Sequence, residues 1–306
     1  MKKCVVIMNP QSGKKKHIKT FEGFYDIFRK YDYDAEIILT KSRGDACKII
    51  SVLSDDIDLV ISAGGDGTLN EIVAGNMKRN KKLVIAPLPM GSTNDVGNMY
   101  GLSTNVYQSL EKILRGIKKK IDVCYINDRP FVYVACLGDY IDMAYATPRD
   151  LKEKYGRIAY LLYGIRRFRT KLNTYRIKYK VNGEEHQGNY SFIFISNSSY
   201  IAGQPDVYYD VKLDDNKFEV ALAQVKNIGE LSKLLVLISS VDVKTIPNIT
   251  YYQTDHFEMD FESIPDTSWC LDGEEMEINT KHFVFRVEQD MKMMIPNEDT
   301  SKLFDE

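Results

Sequence analysis

One pattern recurs through the first 125 residues: a short apolar, β-branched run, then a stretch whose apolar residues return at intervals of three and four. The runs fall at residues 4–8, 35–39, 59–62, 83–87 and 121–124. Between them, Ile18, Phe21, Phe24, Tyr25 and Phe28 mark the clearest helical face, suited to packing on a sheet. Strand and helix alternating in this way imply parallel pairing through right-handed crossovers. The first part of the chain is therefore predicted to be an open α/β sheet, and such sheets bind ligands at the carboxyl ends of their strands.

Past residue 125 the texture changes. Residues 131–136, 175–181, 190–196, 217–224, 251–261 and 283–288 are strand-like with turn residues between them, which predicts a mainly antiparallel β region. A helical insertion over 150–168 interrupts it, its apolar stripe flanked by Arg149, Lys152, Lys154, Arg157, Arg166, Arg167, Arg169 and Lys171. These residues suit an anionic lipid surface or a solvated helix face. The expected domains are 1–124, completed by a C-terminal segment at 291–306, and 125–290. The polar tail is mobile unless Leu303 and Phe304 dock on the first domain.

Composition removes several alternatives. A net charge of −2 with 27% charged residues gives no global basic field for nucleic acid. The cysteines, Cys4, Cys47, Cys124, Cys136 and Cys270, are odd in number and widely spaced, against a disulfide framework or a paired-cysteine zinc site. The N-terminal apolar run is too short for a signal peptide, and no stretch approaches the ~20 apolar residues of a membrane span. The expectation is a cytoplasmic protein whose membrane contact, if any, is peripheral.

Three loops leave strands of the first region with chemistry in them. Asn9-Pro10-Gln11-Ser12-Gly13, followed by three lysines, is either an anion-binding strand-to-helix turn or an ordinary one. Gly64-Gly65-Asp66-Gly67-Thr68-Leu69-Asn70-Glu71 is sharper, because glycines clear side chains from a turn that approaches a ligand and Asp66 is placed to hold Mg²⁺ directly or through water. Gly91-Ser92-Thr93-Asn94-Asp95 follows the next strand and reads alone as a helix cap. Beside the glycine loop it brings hydroxyls and a second carboxylate to one edge.

In order and spacing these motifs resemble the catalytic domain of the diacylglycerol kinase family, which soluble bacterial diacylglycerol kinases and sphingosine kinases share. The resemblance continues through Lys154-Tyr155-Gly156-Arg157, Ser196-Asn197, 212–220 and Leu271-Asp272-Gly273-Glu274, and covers nearly the whole chain. It implies an α/β nucleotide-binding domain like that of the phosphofructokinase and NAD kinase group, a C-terminal β-sandwich domain, and an active site in the cleft between them. It further implies ATP contacts from Asn9, Pro10, Gln11, Ser12, Gly13, Thr40, Gly65, Asp66, Gly67, Thr68, Leu69, Asn70, Glu71 and Ser92. Asp66, Asp95 and Asp122 would form an acidic network near catalytic Mg²⁺, with Glu274 as general base. A carboxylate beside a glycine turn suits that base role, although Asp-Gly between strands also reads as a hairpin turn.

The resemblance also implies a structural Mg²⁺ held by Asp215 and the carbonyls of Lys212 and Lys217. There the sequence departs from the family, with Asn216 in place of glycine; Asn tolerates the left-handed backbone such a turn needs. Tyr133 is a second departure, bulky where a small polar residue is expected in the strand after Phe131, and it would narrow the lipid cleft. The implied activity is phosphorylation of a lipid hydroxyl, diacylglycerol to phosphatidic acid in phospholipid metabolism. Alternatives are another lipid alcohol (phosphatidylglycerol, a ceramide, a sphingoid base), a soluble acceptor as in NAD kinases, or a non-catalytic lipid or nucleotide sensor. Implied partners are a membrane lipid and a second copy of the chain as a homodimer.

Overall fold

The structure is a computed structural model that describes residues 1–12, 21–139, 172–201, 205–238, 240–297 and 300–305. Gly13, the following lysines, Ile18 and the whole 150–168 expectation with its basic residues lie outside the described residues. The chain divides into two compact units. One comprises residues 1–123, 212–215 and 289–306, the other residues 124–211 and 216–288.

In the first unit, strands β1 (Lys2–Met8), β2 (Tyr33–Leu39), β3 (Leu59–Gly64) and β4 (Ile85–Pro89) alternate with helices α1 (Phe21–Lys30), α2 (Asp45–Val52) and α3 (Asp66–Met77). Helices α4 (Asp95–Met99) and α5 (Val106–Leu114) follow, then β5 (Ile117–Ile126). The strands pair in parallel in the order β2-β1-β3-β4, as the alternation requires. Residues of β1 from Cys4 onward, and all of β3 and β4, are buried, which is why they read as continuous apolar runs. In register, Met8 stands opposite Leu39 and Ala63, and Gly64 opposite Pro89, so the strands end together and their outgoing loops share one edge.

Helix α1 corrects one expectation. Phe24 and Phe28, one turn apart, are buried, but Tyr25 is 39% exposed, because it lies about 100° around the helix from Phe24. Phe24 meets Tyr107 of α5 edge-on, with ring centroids 5.4 Å apart.

The second unit is built from β6 (Arg129–Phe131), β7 (Val134–Gly138), β8 (Tyr175–Val181), β9 (Glu184–Tyr190), β10 (Phe192–Ser196) and β11 (Phe218–Ala223). Helix α6 (Ile228–Ile238) precedes β12 (Ile249–Thr254), β13 (His256–Phe261), β14 (Ser268–Leu271), β15 (Glu274–Glu277) and the start of β16 (His282–Ile295). One sheet runs β12-β11-β10-β7-β14-β15, and β16, β13, β8 and β9 pair antiparallel in the other. The inward faces of the two sheets share one core. In it Trp269 lies 5.7 Å from Phe283 and 5.5 Å from Phe285 between ring centroids. This is a β-sandwich, as expected, with corrections: 131–136 breaks into β6 and β7, 190–196 is only β10 with β9 preceding it, and 251–261 is two strands. Helix α6 had no counterpart in the sequence reading.

Candidate active site

Four loops leave the carboxyl edge of the first unit's sheet. After β1, the Asn9 side-chain oxygen accepts from the Gln11 N–H at 2.9 Å, and the Ser12 N–H donates to the Asn9 carbonyl at 3.1 Å. Among the described residues, the Gln11 and Ser12 donors expected to face an anion are thus engaged inside the loop, because an Asn at this position closes a local turn on itself. Pro10 supplies no N–H. Thr40, just past the end of β2, donates its N–H to the Met8 carbonyl at 2.8 Å and is half-buried.

The loops after β3 and β4 touch backbone to backbone. Met90 donates its N–H to the Gly64 carbonyl at 2.9 Å, and a Cβ on Gly91 would stand 2.5 Å from the Gly65 Cα, so only glycine fits there. Asp66 opens α3, yet its carboxylate reaches the other loop. It accepts from the Asp95 N–H at 3.0 Å and the Val96 N–H at 3.2 Å, capping α4 from outside. Asp95 is itself buried, at 1% exposure. Asn94, at φ +54°, brackets Gly91 with its side chain, accepting from its N–H at 2.7 Å and donating to its carbonyl at 2.9 Å. A small cleft between the loops is lined by Ser62, Gly65, Asp66, Pro87, Asn94 and Gly97. Ser92 is exposed on its loop.

The rest of the glycine motif turns inward. Thr68, Leu69 and Asn70 are buried in or under α3. Glu71 accepts from the N–H groups of Gly44 at 2.7 Å and Ala46 at 3.2 Å, so its carboxylate caps α2. Glu71 is expected to contact the nucleotide; its carboxylate has a structural partner, the open N–H groups at the start of α2, whose own Asp45 carboxylate is turned to the Lys41 N–H.

Asp122, on β5, is buried. It accepts from the Gln289 side-chain amide at 3.2 Å, and that amide also donates to the Asp214 carbonyl at 2.6 Å. Gln289 had no signal in the sequence. Lys212 and Asp215 belong to the first unit and Lys217 to the second. Asn216 adopts φ +57°, the left-handed backbone that glycine would otherwise supply. Among the described residues, no group of three or more His, Cys, Asp or Glu side chains is placed to hold a metal directly.

In the second unit, Leu271 pairs with Glu274 across a two-residue turn in which Asp272 has φ +50° and Gly273 φ +85°. This is the hairpin geometry that Asp-Gly favours. The buried Asp272 carboxylate accepts from the N–H groups of Val132 at 2.7 Å, Tyr133 at 3.0 Å and Val134 at 3.1 Å, filling the gap where the strand breaks between β6 and β7. The turn is therefore latched to the sheet, and Glu274 stands half-buried on it.

Residues 3–126 match the family model described as the diacylglycerol kinase catalytic domain. Over that stretch the chain is similar to the diacylglycerol kinase catalytic domain. It is 29% identical over 275 residues to a diacylglycerol kinase of Staphylococcus aureus strain bovine RF122 / ET3-1, an alignment covering 89% of this chain and 86% of that protein. The same values hold against the diacylglycerol kinase of strain MRSA252. Its fold matches the crystal structure of a diacylglycerol kinase from Bacillus anthracis str. Sterne, with a TM-score of 0.79, 23% identity and coverage of 97% of this chain and 98% of that one.

Proposed function

We propose that the chain is an ATP-dependent lipid kinase that converts diacylglycerol to phosphatidic acid. The observation that carries this reading is the backbone contact of Gly65 with Gly91, which clears side chains from two adjacent loops at the carboxyl edge of the catalytic domain. A triphosphate fits such an edge, since no Cβ blocks its approach.

In the reaction the acceptor hydroxyl oxygen forms a bond to the terminal phosphorus of ATP, the bond to ADP breaks, and the hydroxyl proton passes to Glu274. Mg²⁺, when bound with the nucleotide, neutralises phosphate charge. Asp66, Asp95 and Asp122 are the side chains that would hold it. Asp66 already accepts from two backbone N–H groups and Asp122 from the Gln289 amide, and no group of three or more such side chains is gathered among the described residues, which suits an ion that keeps several waters and binds through phosphates rather than a protein cage. Among the described residues no helix is long and apolar enough to cross a membrane. The proposed contact with a bilayer is peripheral, through the basic residues in and around 150–168.

The test is turnover of ATP and Mg²⁺ by the purified protein against diacylglycerol, phosphatidylglycerol, ceramide, sphingosine and NAD in mixed micelles, with Asp66→Ala as the blank. Phosphatidic acid made by the unmutated protein alone is the expected result. Product on another lipid would change the acceptor and keep the chemistry, and no product on any would refute the reading.

A further inference from the structure

Asn197 follows β10 and is 1% exposed, yet among the described residues its carboxamide oxygen has no hydrogen-bond partner. A buried acceptor left unpaired costs free energy, so its persistence calls for a reason. Strand pairing does not supply one. The Asn197 backbone N–H donates to the Tyr133 carbonyl at 3.1 Å, a bond any residue except proline could make. Tyr133 in turn donates its own N–H to the Asp272 carboxylate at 3.0 Å, and Glu274 follows two residues later. Asn197 is therefore two hydrogen bonds away from the turn that presents Glu274, within the same unit.

We propose that the Asn197 carboxamide selects the acceptor lipid, binding a polar substituent next to the hydroxyl that Glu274 deprotonates. The proposal rests on the lipid-kinase reading above. Its chemistry separates two kinds of acceptor. As oriented, the oxygen takes a donor, such as a second hydroxyl on a glycerol; turned over, the amide presents its NH₂ group to an ester oxygen. A diacylglycerol offers only ester oxygens beside its hydroxyl, whereas a monoacylglycerol offers a second hydroxyl.

The experiment uses the full chain, with dioctanoylglycerol and monooctanoylglycerol in micelles. Lipid binding is read by calorimetry without ATP, and KM and kcat by turnover. Asn197→Leu should weaken binding of the preferred lipid and raise its KM about fivefold, with the KM for ATP unchanged. Asn197→Asp, which keeps acceptors and loses donors, should retain binding if the partner is a hydroxyl and lose it if the partner is an ester. Equal binding of both lipids by Asn197→Leu and the unmutated protein would overturn the proposal, as would a KM for ATP that moves with the lipid's. Should Asn197→Leu fail to fold, the isosteric Asn197→Asp decides: an unequal change between the two lipids supports the proposal and an equal one overturns it. An unmutated protein that binds lipid but transfers no phosphate refutes the kinase reading alone, and calorimetry still reads Asn197.

Discussion

Asp272 and Glu274 sit two residues apart and do different work. The Asp272 carboxylate satisfies three backbone N–H groups that the break between β6 and β7 leaves open. Each buried donor stripped of its partner costs ~1–3 kcal/mol, so Asp272→Ala should destabilise the second unit by about 3 kcal/mol or more in urea unfolding. Glu274→Gln, half-buried beside the same turn, should leave the midpoint nearly unchanged and slow turnover sharply. Equal midpoints for the two variants would remove the latch, and an undiminished rate in Glu274→Gln would remove the base. The motif residues were legible because few chemistries need glycines, carboxylates and amides at these spacings. Their division of labour was not, because whether Asp272 faces solvent or Val132 depends on a strand 140 positions away in the chain.

Elements show where periodicity is a sufficient guide and where it fails. The parallel strands were legible as unbroken apolar runs because both sheet faces are covered. Strand β9, Glu-Glu-His-Gln-Gly-Asn-Tyr, was missed because its composition is polar; it lies at the sheet edge, where one neighbour, β8, supplies its pairing. Helix ends are settled by contacts that no local pattern encodes. Glu71 reaches from α3 to cap α2, and removing such a cap costs ~1 kcal/mol. Glu71→Ala should therefore lower stability by about 1 kcal/mol in urea unfolding while the KM for ATP stays the same. A KM for ATP raised tenfold with unchanged stability would return Glu71 to the nucleotide and remove its capping role.

At the scale of the molecule, the chain leaves the first unit after Val123 and comes back to it twice, at residues 212–215 and again from Gln289 onward. The four-residue return has no periodicity to announce it. It is held by the C-terminal segment, where Leu213 donates its N–H to the Leu303 carbonyl at 2.8 Å and the Lys212 ammonium donates to the Phe304 carbonyl at 3.0 Å. Phe304 is 3% exposed, with the Lys119 ammonium 5.4 Å from its ring centroid, so the tail is part of the first unit's core. Phe304→Ala should cost about 3 kcal/mol, the usual range for a buried aromatic truncated to a methyl. Hydrogen exchange should rise at residues 117–123 and 212–215, while β10 and β11 keep their protection. The same segment carries Asp122's partner Gln289, so turnover should fall with the loss of that packing even though Phe304 touches none of the proposed reacting groups. Unchanged exchange at 212–215 in Phe304→Ala would mean that the tail rests on the unit without supporting it, and the acidic residue at Asp122 would then owe its position to β5 alone.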